Sequence, residues 1–246
     1  MAMTIALATT KGGSGKSTLT VLLAGEFAKL GLSVLVLDTD PQQTVSKWLK
    51  RCAAKDAMPA GVQVAAVKSD DELVEWLGRE DADITLIDVQ GAANQTLPIA
   101  AANCDLVVVP CIPSAFDAAE ILKMPKLLEG LAGRGRAATP YRVVLNSVDG
   151  IEAKSRVFVE TLIGLSKAGV KLANTIVAKR QNYRVIAAGV GSLYMVAKKD
   201  DALGKAINNI AELATELLGV VTGGDDQSGS APAETAPSAR LAEKAV

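Results

Sequence analysis

The chain has 246 residues, of which 49% are apolar, 22% charged and only 3% aromatic, and its formal net charge is −1. That length buries a full core, the apolar fraction excludes a disordered scaffold as the body, and the near-neutral balance leaves any nucleic-acid contact to a local patch. Histidine is absent, which removes imidazole triads, imidazole bases and the usual zinc sites, and leaves Lys, Asp, Ser, backbone amides and a hard metal to carry chemistry.

Short aliphatic runs alternate with helical patterns, the order expected of βαβ units. The fold class that follows is α/β: a single domain with a mostly parallel, twisted sheet and helices on both faces. Strands are expected at residues 4–8, 33–38, 62–67, 84–88, 106–109, 142–145 and 175–177. The first of them follows no basic flank and no cleavage site, so the start of the chain does not read as a secretory leader. A first helix is expected from Lys16 to about Leu30, stopped by Gly31, and a second from Pro41, where the missing N–H costs nothing. Ser69-Asp70-Asp71-Glu72 has the form of a capping box ahead of a helix carrying Leu73 and Trp76.

Cys52, Cys104 and Cys111 are odd in number and lack CxxC spacing. Neither a disulfide framework nor a zinc ribbon is indicated, and a cytoplasmic setting is expected. Leu203, Ile207, Ile210, Leu213 and Leu217 fall on one helical stripe that suits a core. No apolar stretch reaches the ~20 residues of a membrane span. From Thr222 the composition turns to Gly, Ser, Pro, Ala and Asp without periodicity, so residues 1–221 are expected to form the domain and 222–246 a disordered tail.

Lys11-Gly12-Gly13-Ser14-Gly15-Lys16-Ser17-Thr18 joins the first strand to the first helix. In that setting glycines let successive backbone N–H groups converge on one anion, and the helix N-terminus adds partial positive charge. Lys16 is placed to reach β- and γ-phosphates and the Ser17 hydroxyl to sit on Mg²⁺. Two further strands end in carboxylates at the same edge: Asp38 and Asp40 in Asp38-Thr39-Asp40-Pro41-Gln42, and Asp88 after Ile84-Thr85-Leu86-Ile87. Asp88 has the Walker-B pattern and would hold Mg²⁺ through a water. Asp38 and Asp40 also read as a capping pair for the helix at Pro41, a role compatible with a ligand role.

A usual phosphate loop has its first glycine at position 10; here Thr10 is followed by Lys11. The string KGGxGK[ST] after an N-terminal strand resembles the deviant Walker-A family that includes ParA, MinD and the nitrogenase iron protein. The resemblance covers roughly Met3 to Val221, strongly in the first 120 residues. It implies an ATPase that uses ATP and Mg²⁺, dimerises on ATP and releases on hydrolysis. It implies that Lys11 crosses a sandwich homodimer to the partner's nucleotide, that Asp40 orients the attacking water, and that Asp38 supports Mg²⁺ and Lys11. Asn146 stands where the family sets an asparagine on the adenine, and also reads as a simple turn residue. Where a Pro-Pro pair is common after the Walker-B Asp, this chain has Val89-Gln90-Gly91-Ala92. Asp105-Leu106-Val107-Val108-Val109-Pro110 and Pro113-Ser114-Ala115-Phe116-Asp117 resemble the smaller ParA proteins that lack an N-terminal DNA-binding domain.

The same resemblance implies non-specific DNA binding by the ATP dimer, through Lys179, Arg180 and Arg184 and through Lys198, Lys199 and Lys205. It also implies a small DNA-binding adaptor, ParB-like or of the ribbon-helix-helix type, and nucleoid association. Those side chains equally read as ordinary exposed cations, with Asp200 and Asp201 offsetting the second group. Positioning of a protein cargo and assistance of conjugative transfer share every motif with DNA partition. A MinD-like membrane switch would need a basic amphipathic C-terminal helix with bulky apolar residues, and an iron–sulfur reductase would need cluster cysteines that Cys104 and Cys111 do not match.

Overall fold

A computed structural model describes residues 2–9, 12–79, 81–90, 96–112, 121–131 and 138–223. Among them run β1 (Met3–Leu7), α1 (Lys16–Lys29), β2 (Val34–Asp38), α2 (Thr44–Ala53), β3 (Val62–Ala66), α3 (Asp70–Leu77), β4 (Ile84–Asp88) and α4 (Thr96–Ala102). They continue with β5 (Leu106–Cys111), α5 (Lys123–Leu131), β6 (Tyr141–Leu145), α6 (Arg156–Lys167), α7 (Gln181–Val185) and α8 (Asp201–Val221). A π turn, Ile186–Val190, continues α7 directly.

The six strands form one parallel sheet in the order β3-β2-β4-β1-β5-β6. Alternate residues feed opposite faces. Ile5, Leu7, Val34, Val36, Ile84 and Leu86 pack beneath α1, α2 and α8, whereas Ala6, Leu35, Leu37, Ile87, Val107 and Val109 pack toward α3, α4 and α5. Burial on both faces explains the uninterrupted aliphatic runs. In α8 the expected stripe faces the core: Leu203, Ile210, Leu213 and Leu217 are buried, with Ile207 packed beside them.

Four details differ from the sequence expectations. Residues 175–177 form no strand; isolated bridges stand on either side of them, Val143 to Leu172 and Val148 to Ala178. The cause lies in α8, whose Glu216 carboxylate accepts the N–H groups of Asn174 (2.6 Å) and Thr175 (2.9 Å), while Asn209 accepts that of Ala178. Helix α2 opens at Thr44 instead of Pro41, because Gln43 adopts a left-handed φ of 49° and Asp40 closes a turn by accepting the Gln42 N–H. Strand β5 runs through Pro110 to Cys111. Its odd-numbered groups bond toward β6 and Val108 bonds toward β1, so Pro110 faces the β1 side past the end of that pairing, where no donor is needed. Ser69 caps α3 as expected, but Glu72 reaches back to the N–H of Lys68 rather than of Ser69.

Helix α8 ends at Val221, with Thr222 as its cap. Residues 224–246, most of the expected tail, lie outside the described residues.

Candidate functional site

Register brings the site together. Asp38 and Asp88 are directly paired across β2 and β4, and Asp88 is paired with Leu7 across β4 and β1. All three strands therefore deliver their carboxyl ends to one edge, on both sides of the point where the strand order reverses, which is where open α/β sheets bind ligands. The loop from β1 to α1 rises at that edge.

The loop backbone uses its glycines. Gly13 and Gly15 hold φ of 84° and 81°, conformations that β-carbon-bearing residues avoid. A Cβ on Gly15 would also lie 2.4 Å from Nδ2 of Asn146. That amide donates to the carbonyl of Ser14 at 2.8 Å, and the Asn146 N–H donates to Cys111 O at 2.7 Å. Asn146 thus ties the end of β6 to the phosphate loop.

Asp88 is fully buried and collects three side chains of α1. Lys16 Nζ lies 2.7 Å from Oδ1, Ser17 Oγ donates to Oδ2 at 2.7 Å, and Thr20 Oγ1 lies 3.2 Å from Oδ1. Burial pushes the Asp88 carboxyl above its ordinary range; the Lys16 charge and the hydrogen bonds from Lys16 and Ser17 pull the other way. Asp38 is equally buried, and its Oδ2 accepts both the N–H (2.8 Å) and the hydroxyl (2.9 Å) of Ser46. It thereby anchors the first turn of α2. Thr39 bridges the two strands, donating to Asp88 O at 3.1 Å and accepting the Gln90 N–H at 3.2 Å.

Two cavities flank the loop. One, of about 630 Å³, is lined by Gly12, Ser14, Lys16, Ser17, Asp40 and Gln90, among others. It combines an amide-rich loop, an ammonium and oxygen donors, the chemistry a phosphate chain with a hard cation requires. The other, of about 270 Å³, lies beyond Gly15 and is lined by Thr18, Ile112, Asn146, Arg180, Tyr183 and Arg184, among others. Its walls combine apolar side chains, Leu19, Leu22 and Ile112, with polar and cationic ones, and the apolar part suits the base end of a nucleotide.

Most of the expected site residues converge on these cavities. Gly12, Gly13, Ser14, Gly15, Lys16, Ser17, Thr18, Asp40 and Asn146 line one or both, and Asp38 and Asp88 lie beneath them in register. Lys11 and the segment 113–117 fall outside the described residues, as do Gly91 and Ala92. Lys179, Arg180 and Arg184 border the smaller cavity. Lys198 and Lys205 are ion-paired with Asp200 (2.9 Å) and Asp201 (2.8 Å), and Lys199 donates to Tyr194 O. Thr20, Thr39 and Ser46 join the site without belonging to any of its sequence motifs. Thr20 carries a usable signal, since it sits one helical turn after Lys16 and shares its face. Ser46 carries none.

A parallel sheet with a glycine loop, a buried lysine and a carboxylate-tipped neighbouring strand defines a P-loop nucleotide-binding protein. Residues 5–190 match the model of the CobQ/CobB/MinD/ParA nucleotide binding domain, and the chain belongs to that family.

Among relatives, protein ParA of Rhizobium radiobacter is 26% identical over 224 residues, covering 89% of this chain and 97% of that one. The maintenance of carboxysome distribution protein A of Halothiobacillus neapolitanus is 26% identical over 214 residues, covering 85% and 94%. The fold matches the MinD cell division protein of Aquifex aeolicus with a TM-score of 0.69 at 17% identity, over 89% of this chain and 97% of that one. It also matches the structure of pNOB8 ParA bound to nonspecific DNA, with a TM-score of 0.60 at 16% identity, over 91% and 99%.

Proposed function

We propose that this chain is an ATPase that dimerises on ATP, binds DNA without sequence preference in that state, and segregates or positions plasmid or chromosomal DNA with a DNA-binding adaptor. The observation that carries the nucleotide part is the cluster of Lys16, Ser17 and Thr20 on Asp88 beneath a glycine loop. The partition part rests on the near full-length ParA relative.

In this reading Gly12 to Thr18 and Lys16 hold the triphosphate, and Asn146 borders the adenine. Ser17, Asp88 and Asp38 form the oxygen set for Mg²⁺, which when bound would neutralise charge building on the phosphates. Lys16, now on Asp88, exchanges that partner for phosphate oxygens. Asp40, on the cavity wall, orients water, and Lys11 reaches the partner subunit's nucleotide. Hydrolysis is slow unaided, because no imidazole base exists and Asp40 alone holds the water. The adaptor, ParB-like or ribbon-helix-helix, speeds it. Lys179, Arg180 and Arg184 form one DNA-facing group and Lys198, Lys199 and Lys205 a second. The setting is cytoplasmic, with nucleoid association in the ATP state. Among the described residues no helix is long and apolar enough to cross a membrane.

A second reading, positioning of a protein cargo by the same DNA-bound dimer, draws on the carboxysome-distribution relative. Co-sedimentation with non-specific duplex DNA, with ATP, ADP or no nucleotide and at rising salt, tests the proposal. Binding that requires ATP, fades with salt and vanishes in Lys16→Ala is expected. ATP-dependent dimers that ignore DNA would overturn the DNA-tethered part.

A further inference from the structure

Helix α2 has an unusual distribution of charge. Thr44–Ala53 carries Lys47, Lys50 and Arg51 and no acidic residue. Val45, Trp48 and Cys52 bury one face, so at 3.6 residues per turn the three cations occupy the opposite, exposed face. No ion pair among the described residues engages Lys47 or Lys50. By contrast, Lys198 and Lys205 each hold a carboxylate at 2.9 and 2.8 Å.

The helix is joined at both ends to parts of the site. Its first turn is fixed to Asp38 through Ser46, directly after the Asp40–Thr44 stretch that lines the phosphate cavity. Its far end donates to three successive carbonyls of the π turn: Trp48 Nε1 to Ile186 O (3.0 Å), Arg51 Nη2 to Ala187 O (2.9 Å) and, just past the helix, Lys55 Nζ to Ala188 O (3.0 Å). Gly189 fits there with a φ of 97° because a Cβ would stand 2.6 Å from Cβ of Arg51. These bonds hold the basic end of α2 against the π turn.

We infer that the exposed face of α2, Lys47, Lys50 and Arg51 with Lys55 just beyond it, is a docking surface for the phosphate backbone of duplex DNA. The assignment rests on the DNA-binding reading above and adds a surface outside the two groups named there. Charge complementarity commits it to a polyanion, and exposed cations that hold no carboxylate among the described residues suit the regular spacing of duplex phosphates. Attachment to Asp38 places this face one element from the phosphate cavity, so a shift of the Asp40–Thr44 loop on nucleotide binding would move it.

The test measures fluorescence anisotropy of a labelled non-specific duplex against the full-length chain with ATP and Mg²⁺ across a salt series. Wild type is compared with Lys47→Ala/Lys50→Ala and with Lys198→Ala/Lys205→Ala, and fluorescent-nucleotide affinity with circular dichroism confirms that each variant is folded and loaded. The α2 pair is expected to weaken binding at least about tenfold and to reduce the slope of log K against log salt by roughly 2 per protomer. The other pair should cost less, since its lysines are already neutralised. Wild-type DNA binding with an unchanged slope in the α2 variant overturns the inference and leaves the DNA-binding reading standing. No ATP-dependent DNA binding by wild type, or capture of its ATP form by phosphatidylserine vesicles instead, overturns both.

Discussion

Lys16 Nζ stands 2.7 Å from Oδ1 of Asp88 in an ion pair whose side chains are only 7% and 0% exposed. The residue expected to meet phosphate is therefore parked on the residue expected to help hold the metal. In the proposed function a bound nucleotide separates the two, and Ser17 and Thr20 are left facing the carboxylate. Lys16→Ala should abolish nucleotide binding. It should also destabilise the nucleotide-free protein by about 3 kcal/mol, as one charge is left buried without its partner. Adding Asp88→Asn should recover much of that stability and none of the binding. Urea midpoints of the single and double variants, read beside fluorescent-nucleotide titrations, check both halves; additive losses of stability would contradict the pairing.

Asp38 invites a different expectation. Its Oδ2 is occupied by Ser46, so its present work is to hold the start of α2. Ser46→Ala removes the hydroxyl donor but keeps the N–H, and should cost about 1 kcal/mol. Asp38→Ala strips the acceptor from both donors and should cost about 2 kcal/mol or more. If Asp38 acted only on a bound ligand, neither change would move the denaturation midpoint of the free protein.

The sheet and the phosphate loop were legible because their causes are local. Aliphatic runs of five or six residues announce buried parallel strands, and glycines beside Lys16 announce an anion cradle. What escaped reading depends on residues distant in sequence. At the expected strand 175–177, the Thr175 N–H goes to Glu216, some forty positions later, instead of to β6. The start of α2 is set by a left-handed Gln43 and by the Asp38–Ser46 bond, neither of which has a composition cue. Within the site, Asp38 and Asp88 read as strand-end carboxylates, yet only the register shows that they are cross-strand neighbours.

Gly15 and Asn146 form a steric pair that can be tested apart from charge. Gly15→Ala places a methyl group against the Asn146 amide and forces an L residue to a φ of 81°. Nucleotide affinity should fall by at least about fivefold, corresponding to the ~1 kcal/mol or more typical of such strain. Combining it with Asn146→Ala should relieve the clash but not the backbone conformation, so rescue should be partial at most. Full recovery of affinity in the double variant would show that the left-handed backbone is not limiting.

Glu26 supplies the pH prediction. Its side chain is nearly buried in α1, where Oε2 accepts from Tyr194 at 2.8 Å, with Lys29 stacked over the same ring. Burial raises its pKa above the ordinary 4.5, and the Tyr194 hydrogen bond and the Lys29 charge only partly offset this. A raised pKa means that the folded state holds the proton more tightly than the unfolded chain. The stabilisation from this group is fully present below about pH 4.5 and is lost as pH rises through its folded value. Glu26→Gln keeps an acceptor for Tyr194 and cannot ionise. It should therefore be more stable than wild type near neutrality and converge with it in acid. Thermal or urea denaturation of both proteins from pH 4 to pH 8 measures the gap, and a gap that widens toward acid would reverse the assigned sign.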